Sequence, residues 1–119
     1  LSGNIEKTNE RSVVARFEYG ETSFLFTGDL PREEQILQSE RPVTVLKVSH
    51  HGSKYSTSTA FLDMLRPKEA IISVGKNSYG HPDTGVLGRL RDRGVIVRRT
   101  DEEGDIRYRC EGEQCVFVP

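Results

Sequence analysis

Apolar side chains fall loosely on alternate positions from Ser12 to Tyr19, at Val13, Ala15, Phe17 and Tyr19, which predicts a β-strand. Gly20-Glu21 is a turn signal, and Thr22–Thr27 returns as a second strand. Its unbroken Phe24-Leu25-Phe26 predicts burial on both faces. Gly28-Asp29 ends that strand. Pro31 then suits the first turn of a helix, with Glu33 and Glu34 at its positive end and Ile36 and Leu37 as a small apolar face. Val43–Val48 is the next strand, and a polar loop runs from Ser49 to Ser56. Thr57 or Ser58 caps a short helix, Ala60–Leu65, that offers Phe61, Leu62 and Leu65 to a core. Pro67 stops it, and Glu69–Val74 reads as a buried strand. A loop rich in glycine, asparagine and serine spans Gly75–Pro82. Asp83 caps the helix Thr84–Arg93, whose apolar face is Val86, Leu87 and Leu90, with Gly94 at its C-terminal cap. Val95–Arg99 is a strand, Asp101–Gly104 a turn into Asp105–Cys110, and Ile106–Cys110 with Cys115–Val118 a closing hairpin.

Two strands, then alternating helices and strands, predict an α/β (α+β) fold with a mixed sheet and helices on one face. Four chemistry-bearing residues follow strands: Asp29, His50, His51 and, further along its loop, His81. Ends of strands are where open α/β sheets build sites. The grouping says more than any one residue.

Composition narrows the class. The 119 residues suffice for one modest domain. At 34% hydrophobic and 29% charged, the chain is thin for a self-contained core but too apolar for disorder. A net charge of −1 gives no global field for nucleic acid or an anionic membrane. No apolar run approaches the roughly 18 residues of a membrane span, and no signal peptide is visible. The chain opens Leu1-Ser2-Gly3 without an initiator methionine and is expected to belong to a longer protein. Cys110 and Cys115 flank Glu111-Gly112-Glu113-Gln114, so a disulfide across the hairpin and two free thiols both fit. The disulfide favours an oxidising, extracytoplasmic setting. A zinc pair is disfavoured, because no second ligand pair lies nearby.

Each strand-end residue has a plain reading beside the chemical one. Asp29 in a Thr-Gly-Asp turn suits bridging two metals, and also capping a helix before Pro31. Adjacent histidines on extended backbone point opposite ways, so one of His50 and His51 can ligate while the other packs or meets substrate. Gly52 lets backbone approach a ligand, and Ser53 can donate to an oxyanion. His81, before Pro82, taken alone reads as a loop histidine. Arg89, Arg91, Arg93, Arg98, Arg99, Arg107 and Arg109 could contact phosphates. A solvated face balanced by Asp92, Asp101, Glu102 and Glu103 is the favoured reading of that cluster.

Assembled in order, these residues resemble the metallo-β-lactamase superfamily, and within it the domain of the ComEC-type competence proteins. Asn9-Glu10-Arg11-Ser12-Val13-Val14 resembles that family's Asn-x-x-Ser strand start. Phe24-Leu25-Phe26-Thr27-Gly28-Asp29 resembles its strand ending in a bridging aspartate, and Val48-Ser49-His50-His51-Gly52-Ser53 its metal-site turn. Ile72-Ser73-Val74-Gly75 with Tyr79-Gly80-His81-Pro82, then Arg99-Thr100-Asp101 and Gly104, resembles its closing segment. The likeness covers about residues 9–108 and leaves the last hairpin, 109–119, outside.

The resemblance implies an αβ/βα sandwich of two similar halves, with one or two divalent metals (zinc or manganese) at the sheet edges. It implies hydrolysis by water activated on the metal, with DNA phosphodiesters as substrate, one strand being degraded while the other is imported. By position, Asp29, His50 and His51 are the implied metal ligands, and Asp29, His51 and His81 the implied catalytic set. Asn9, Ser12, Ser53 and His81 are the implied substrate contacts. Asn9 sits near where many relatives have a histidine ligand. The signature His-x-His-x-Asp-His is absent, since no histidine precedes His50. Residues 1–119 are therefore expected to be the C-terminal half of such a domain, with an incomplete metal site and little activity alone. The expected partners are the N-terminal half, DNA and the membrane channel part of the parent protein, with self-association of the chain itself. The parent is expected to be membrane-associated. A non-catalytic binding relative of the fold, and another phosphoesterase such as a choline-phosphate esterase, are the alternatives.

Overall fold

A computed structural model describes residues 4–9, 14–28, 41–49, 57–75 and 81–119. Its larger sheet contains β1 (Asn4–Asn9), β2 (Val14–Tyr19), β3 (Thr22–Phe26), β4 (Val45–Lys47), β5 (Glu69–Ile72) and β6 (Ile96–Arg99), paired in that order. The first three strands form an antiparallel meander, and β3 through β6 run parallel. Helix α1 (Thr59–Leu65) connects β4 to β5, and α2 (Thr84–Asp92) connects β5 to β6. A helical turn, α3 (Thr100–Glu103), follows β6, and β7 (Arg107–Glu111) and β8 (Gln114–Val118) form a separate hairpin. The mixed sheet with α/β connections expected from the sequence is the fold.

Period-two alternation assigns the sheet's two faces. Val14, Leu25, Leu46, Ala70 and Ile72 point into one core with Phe61, Leu62 and Leu65 of α1 and Val86, Leu87 and Leu90 of α2. Both helices start where the sequence places their caps. Ser58 Oγ accepts from the Phe61 amide at 3.2 Å, and Asp83 Oδ2 from the Gly85 amide at 2.9 Å. Arg16 lies on this face too, yet is buried. It donates to Glu18 and to the carbonyls of Arg41 and Pro42, so its charge and donors are satisfied.

The opposite face carries Phe17, Tyr19, Phe24, Val45 and Ile71, and the β7–β8 hairpin packs on it through Tyr108, Cys110 and Cys115. Tyr108 meets Phe24 edge-on at 5.2 Å and donates to Glu69 Oε1 at 2.8 Å. Arg98 donates to the same oxygen at 2.9 Å and lies 3.5 Å over the Phe117 ring. Burial first, and Glu69 second, push the Tyr108 phenol well above its ordinary value, so it stays a donor. Phe26, nearer the other end of β3, is 41% exposed, as are large parts of Ile96 and Val116.

Cys110 and Cys115 face each other across the hairpin and form a disulfide. The loop it closes is short, so chain entropy assigns it only about 2 kcal/mol. Replacing both cysteines by serine is expected to lower the unfolding free energy by that amount, read in urea as a lower midpoint at an unchanged slope. A change below about 0.5 kcal/mol would show that docking on Phe24 and Val45, rather than the cross-link, holds the hairpin.

Two elements differ from expectation. β1 was not legible as a strand, and the acidic stretch read as a turn begins with the helical turn α3. Three strands, β3, β4 and β5, end a residue or two sooner than expected, and β7 is shifted to Arg107–Glu111. The helix expected around Pro31–Leu37 lies outside the described residues.

Candidate functional site

Strand direction brings the strand ends that lead into the candidate residues to one edge. Because β2 is antiparallel to β1 and β3, the end of β1, the start of β2 and the ends of β3 through β6 share an edge. Asn9 closes β1 there and pairs with Val14 after an irregularity between Lys7 and Asn9. Gly28 turns the chain at φ +57 just before Asp29, a conformation in which glycine avoids a Cβ clash. Ser49, wholly buried, immediately precedes His50. Ser12, Asp29, His50, His51, Gly52 and Ser53 themselves lie outside the described residues.

The edge is held together by hydroxyls. Beyond Phe26↔Lys47 the β3–β4 ladder ends. Thr27 Oγ1 then donates to the Lys47 carbonyl at 2.9 Å, and Ser49 Oγ donates to Thr27 Oγ1 at 2.5 Å. Between β4 and β5 the Val48 amide reaches the Ile71 carbonyl at 2.9 Å. Past Ile72↔Arg99, Thr100 Oγ1 accepts from the Val74 amide at 2.8 Å and donates to the Val74 carbonyl at 3.1 Å. Sequence reasoning missed these three hydroxyls.

Two further anchors flank the histidine loop. Thr57, a buried β-branched residue at φ +57, ends the segment after His50-His51, and its carbonyl accepts from Arg89 Nε at 3.0 Å. Such a backbone costs about 1–3 kcal/mol and persists only where surroundings enforce it. His81, half-buried, follows β5 by way of the loop, and its Nδ1 is shielded from solvent with no hydrogen-bond partner among the described residues. Arg99 and Asp101 pair at 2.7 Å beside Thr100. The Arg99 hydrogen bond holds the Asp101 carboxyl below its usual range, so the pair stays charged at neutral pH.

Among the described residues, no three of His, Cys, Asp and Glu lie close enough together to hold a metal. Of the sequence's candidates, the described residues therefore contribute His81 with its open nitrogen, and Asn9 by backbone placement. The arginine cluster is largely internally paired: Arg93 with Asp63, Arg98 with Glu69, and Arg99 with Asp101 and Glu102. Asp63 and Glu69, not the neighbouring acids Asp92 and Glu103, are the partners of the first two.

A family model described as the metallo-beta-lactamase superfamily matches residues 5–76. The chain belongs to that superfamily. It is 47% identical over 114 residues to ComE operon protein 3 of Bacillus subtilis, covering 92% of this chain and 15% of that protein. It is 36% identical over 106 residues to competence protein ComA of Neisseria gonorrhoeae, covering 84% of this chain and 15% of that protein. Recombination protein 2 of Haemophilus influenzae is 39% identical over 102 residues, covering 83% of this chain and 13% of that protein. The chain thus spans 13–15% of the length of these relatives. The resemblance to the superfamily and to ComEC-type competence domains is borne out. Members of this superfamily usually bind divalent metals, and the matched segment runs from β1 through the end of β5, the strands that form the hydroxyl-stitched edge.

Proposed function

We propose that the chain supplies the C-terminal half of a metal-dependent phosphodiesterase site in a competence protein, a nuclease that degrades one DNA strand during import. The observation that supports it is the shared strand edge: β1, β3, β4 and β5 all run out toward Asn9, Asp29, His50-His51 and His81. Asp29, His50 and His51 are the residues that would hold zinc or manganese. A bound divalent cation supplies Lewis acidity, lowering the pKa of water and polarising the scissile group. His81 lines the site, contacting the substrate phosphate or giving a proton to the leaving oxygen. Asn9, Ser12 and Ser53 contact substrate. The remaining ligands come from the N-terminal half of the domain, in the length that these relatives have beyond this chain. A membrane channel in the same parent protein delivers the DNA strand, and the disulfide fits a domain on the extracytoplasmic side. Without its other half, the chain self-associates through the apolar surface that the missing half would cover.

A labelled-DNA degradation assay with the full-length protein and Mn²⁺ tests this reading. Asp29→Asn is expected to cost more than the roughly 10–100-fold typical of residues that only orient a ligand. The isolated 119-residue chain is expected to show no robust turnover; such turnover, abolished by Asp29→Asn, would defeat the half-site reading. Asn9, in place of a ligating side chain at the end of β1, favours a second reading: a non-catalytic relative that binds DNA or a partner. Failure of the full-length protein to bind Mn²⁺ or Zn²⁺ would select it.

A further inference from the structure

The edge of the sheet opposite the candidate site carries a second concave surface. It has a volume of about 450 Å³ and is lined in part by Glu21, Ser23, Thr44, Arg66 and Lys68. It lies across the starts of β3, β4 and β5, which run parallel and so put their first residues on one edge. Hydrogen bonds fix its walls. The Thr44 amide donates to the Ser23 carbonyl at 3.0 Å, and the Ser23 amide to Thr44 Oγ1 at 3.0 Å. The Lys68 amide donates to the Thr44 carbonyl at 2.9 Å, and the Val43 amide to the Leu65 carbonyl at 3.0 Å. The groove is therefore preformed, and its size falls within the roughly 300–1,000 Å³ of small-ligand clefts.

Its charge comes from Arg66 and Lys68. Both are exposed, and neither has an ion-pair partner among the described residues, whereas Arg16, Arg41, Arg93, Arg98 and Arg99 are all paired. Arg66 also sits at φ +45 as the C-terminal cap of α1, a left-handed conformation usually left to glycine. A costly backbone that holds an unpaired cation beside a groove points to a use for that cation. Arg66 lines the neighbouring cleft of about 310 Å³ as well, with Leu62, Pro67 and Val95, so it borders both. In that second cleft Arg93 is neutralised by Asp63 at 2.9 Å. In the first, Glu21 on the β2–β3 turn is the opposing charge. No aromatic side chain lines either cleft among the described residues, so neither offers a base a stacking surface.

We propose that the Arg66–Lys68 groove is a second contact for a single strand of DNA, each cation taking one backbone phosphate. A groove with cations on its wall follows the backbone of a single strand, and phosphate contacts without base contacts carry no sequence preference. The inference rests on the reading above only in that DNA reaches this protein; it needs neither metal nor turnover. The chain's net charge of −1 makes the contact local, not the work of a global field. A membrane surface fits less well, because attraction to anionic lipid takes clusters of roughly four to eight cations.

The test is fluorescence anisotropy of a labelled oligothymidylate with the full-length protein in EDTA, titrated at several salt concentrations. Arg66→Asn and Lys68→Gln are each expected to weaken binding about 5-fold at roughly 0.1 M salt, the loss of one single-strand phosphate contact, and to flatten the log–log salt slope by about 0.7. Arg66→Asn should do so at an unchanged or higher urea midpoint, since asparagine tolerates the left-handed backbone. Arg66→Lys keeps the charge and should keep the slope, and Glu21→Gln should tighten binding. Wild-type affinity and slope in both Arg66→Asn and Lys68→Gln overturn the inference. So does weaker binding at an unchanged slope, which assigns the loss to packing. Losses confined to phosphatidylserine micelles, with oligonucleotide binding intact, assign the groove to a membrane surface and overturn it as well. A wild-type protein that holds no oligonucleotide in EDTA overturns the inference and leaves the metal-site reading, tested with Mn²⁺, standing. Charge-dependent oligonucleotide binding by a protein that takes up no Mn²⁺ would uphold the groove and defeat the metal site.

Discussion

Leu46→Ala is expected to destabilise the chain by about 3 kcal/mol, within the 2–5 kcal/mol range for large-to-small changes in a packed core. Leu46 is wholly buried at the centre of the short strand β4, with Leu25 and Ala70 as its register partners on either side. It belongs to the cluster that also holds Phe61 and Leu62 of α1 and Val86 and Leu90 of α2. Truncation would remove contacts to both helices at once, and a strand fixed by parallel neighbours has little freedom to collapse into the space. Against a total of roughly 5–15 kcal/mol for a domain, that is a large fraction. Urea titration measures it, with Phe26→Ala as the comparison, because Phe26 is 41% exposed and should lose far less. Similar losses in the two variants would mean that the helix layer does not seat on β4 as described. β4 is also the strand that leads into Ser49 and His50.

The elements that period and caps could identify were legible, and the reasons are local. Phe61, Leu62 and Leu65, and Val86, Leu87 and Leu90, face the core as their spacing implies, and Ser58 and Asp83 cap the helices they precede. The hairpin was legible from the turn residues between its cysteines. β1 was not, because Asn-Ile-Glu-Lys-Thr-Asn holds a single apolar residue and, among the described residues, lies at the edge of the sheet. An edge strand is specified by its neighbour's ladder more than by its own pattern. β4 and β5 ended early because the apolar run continues past the ladder: Val48 and Val74 are still buried, but the Val48 amide makes the last bond to β5, at Ile71, and the Val74 amide bonds the Thr100 hydroxyl. Arginine pairing was legible in kind but not in partner, since Asp63 and Glu69 are distant in sequence from Arg93 and Arg98. Of the site, what the topology shows is that the strand ends preceding Asp29 and His50 share one edge. The Thr27–Ser49 chain was not legible, because a lone Thr and a lone Ser carry no pattern until two strands are known to be parallel neighbours.

Gly20→Val is expected to cost about 3 kcal/mol and to release the β7–β8 hairpin from the sheet, for two separable reasons. Gly20 sits at φ +55, where a side chain costs roughly 1–2 kcal/mol, more when β-branched. A Cβ there would also collide with the carbonyl of Glu113, backbone of the hairpin's own turn. That carbonyl cannot simply give way, because it accepts the Glu21 amide at 2.7 Å, and the next residue but one, Cys115, donates its amide to Thr22 Oγ1 at 2.8 Å. Moving Glu113 therefore breaks the contacts that seat the hairpin over Phe24 and Val45. Gly94→Ala separates the two reasons, since Gly94 has φ +70 but open space where its Cβ would go. It should show the backbone cost alone, about 1 kcal/mol. Hydrogen exchange gives the second readout: the Cys115 amide should lose protection in Gly20→Val and keep it in Gly94→Ala. Retained protection in Gly20→Val would mean that the Glu69–Tyr108–Arg98 contacts hold the hairpin on the sheet without the β2–β3 turn. In that case the hairpin's seat would be set from the β5–β6 side of the sheet.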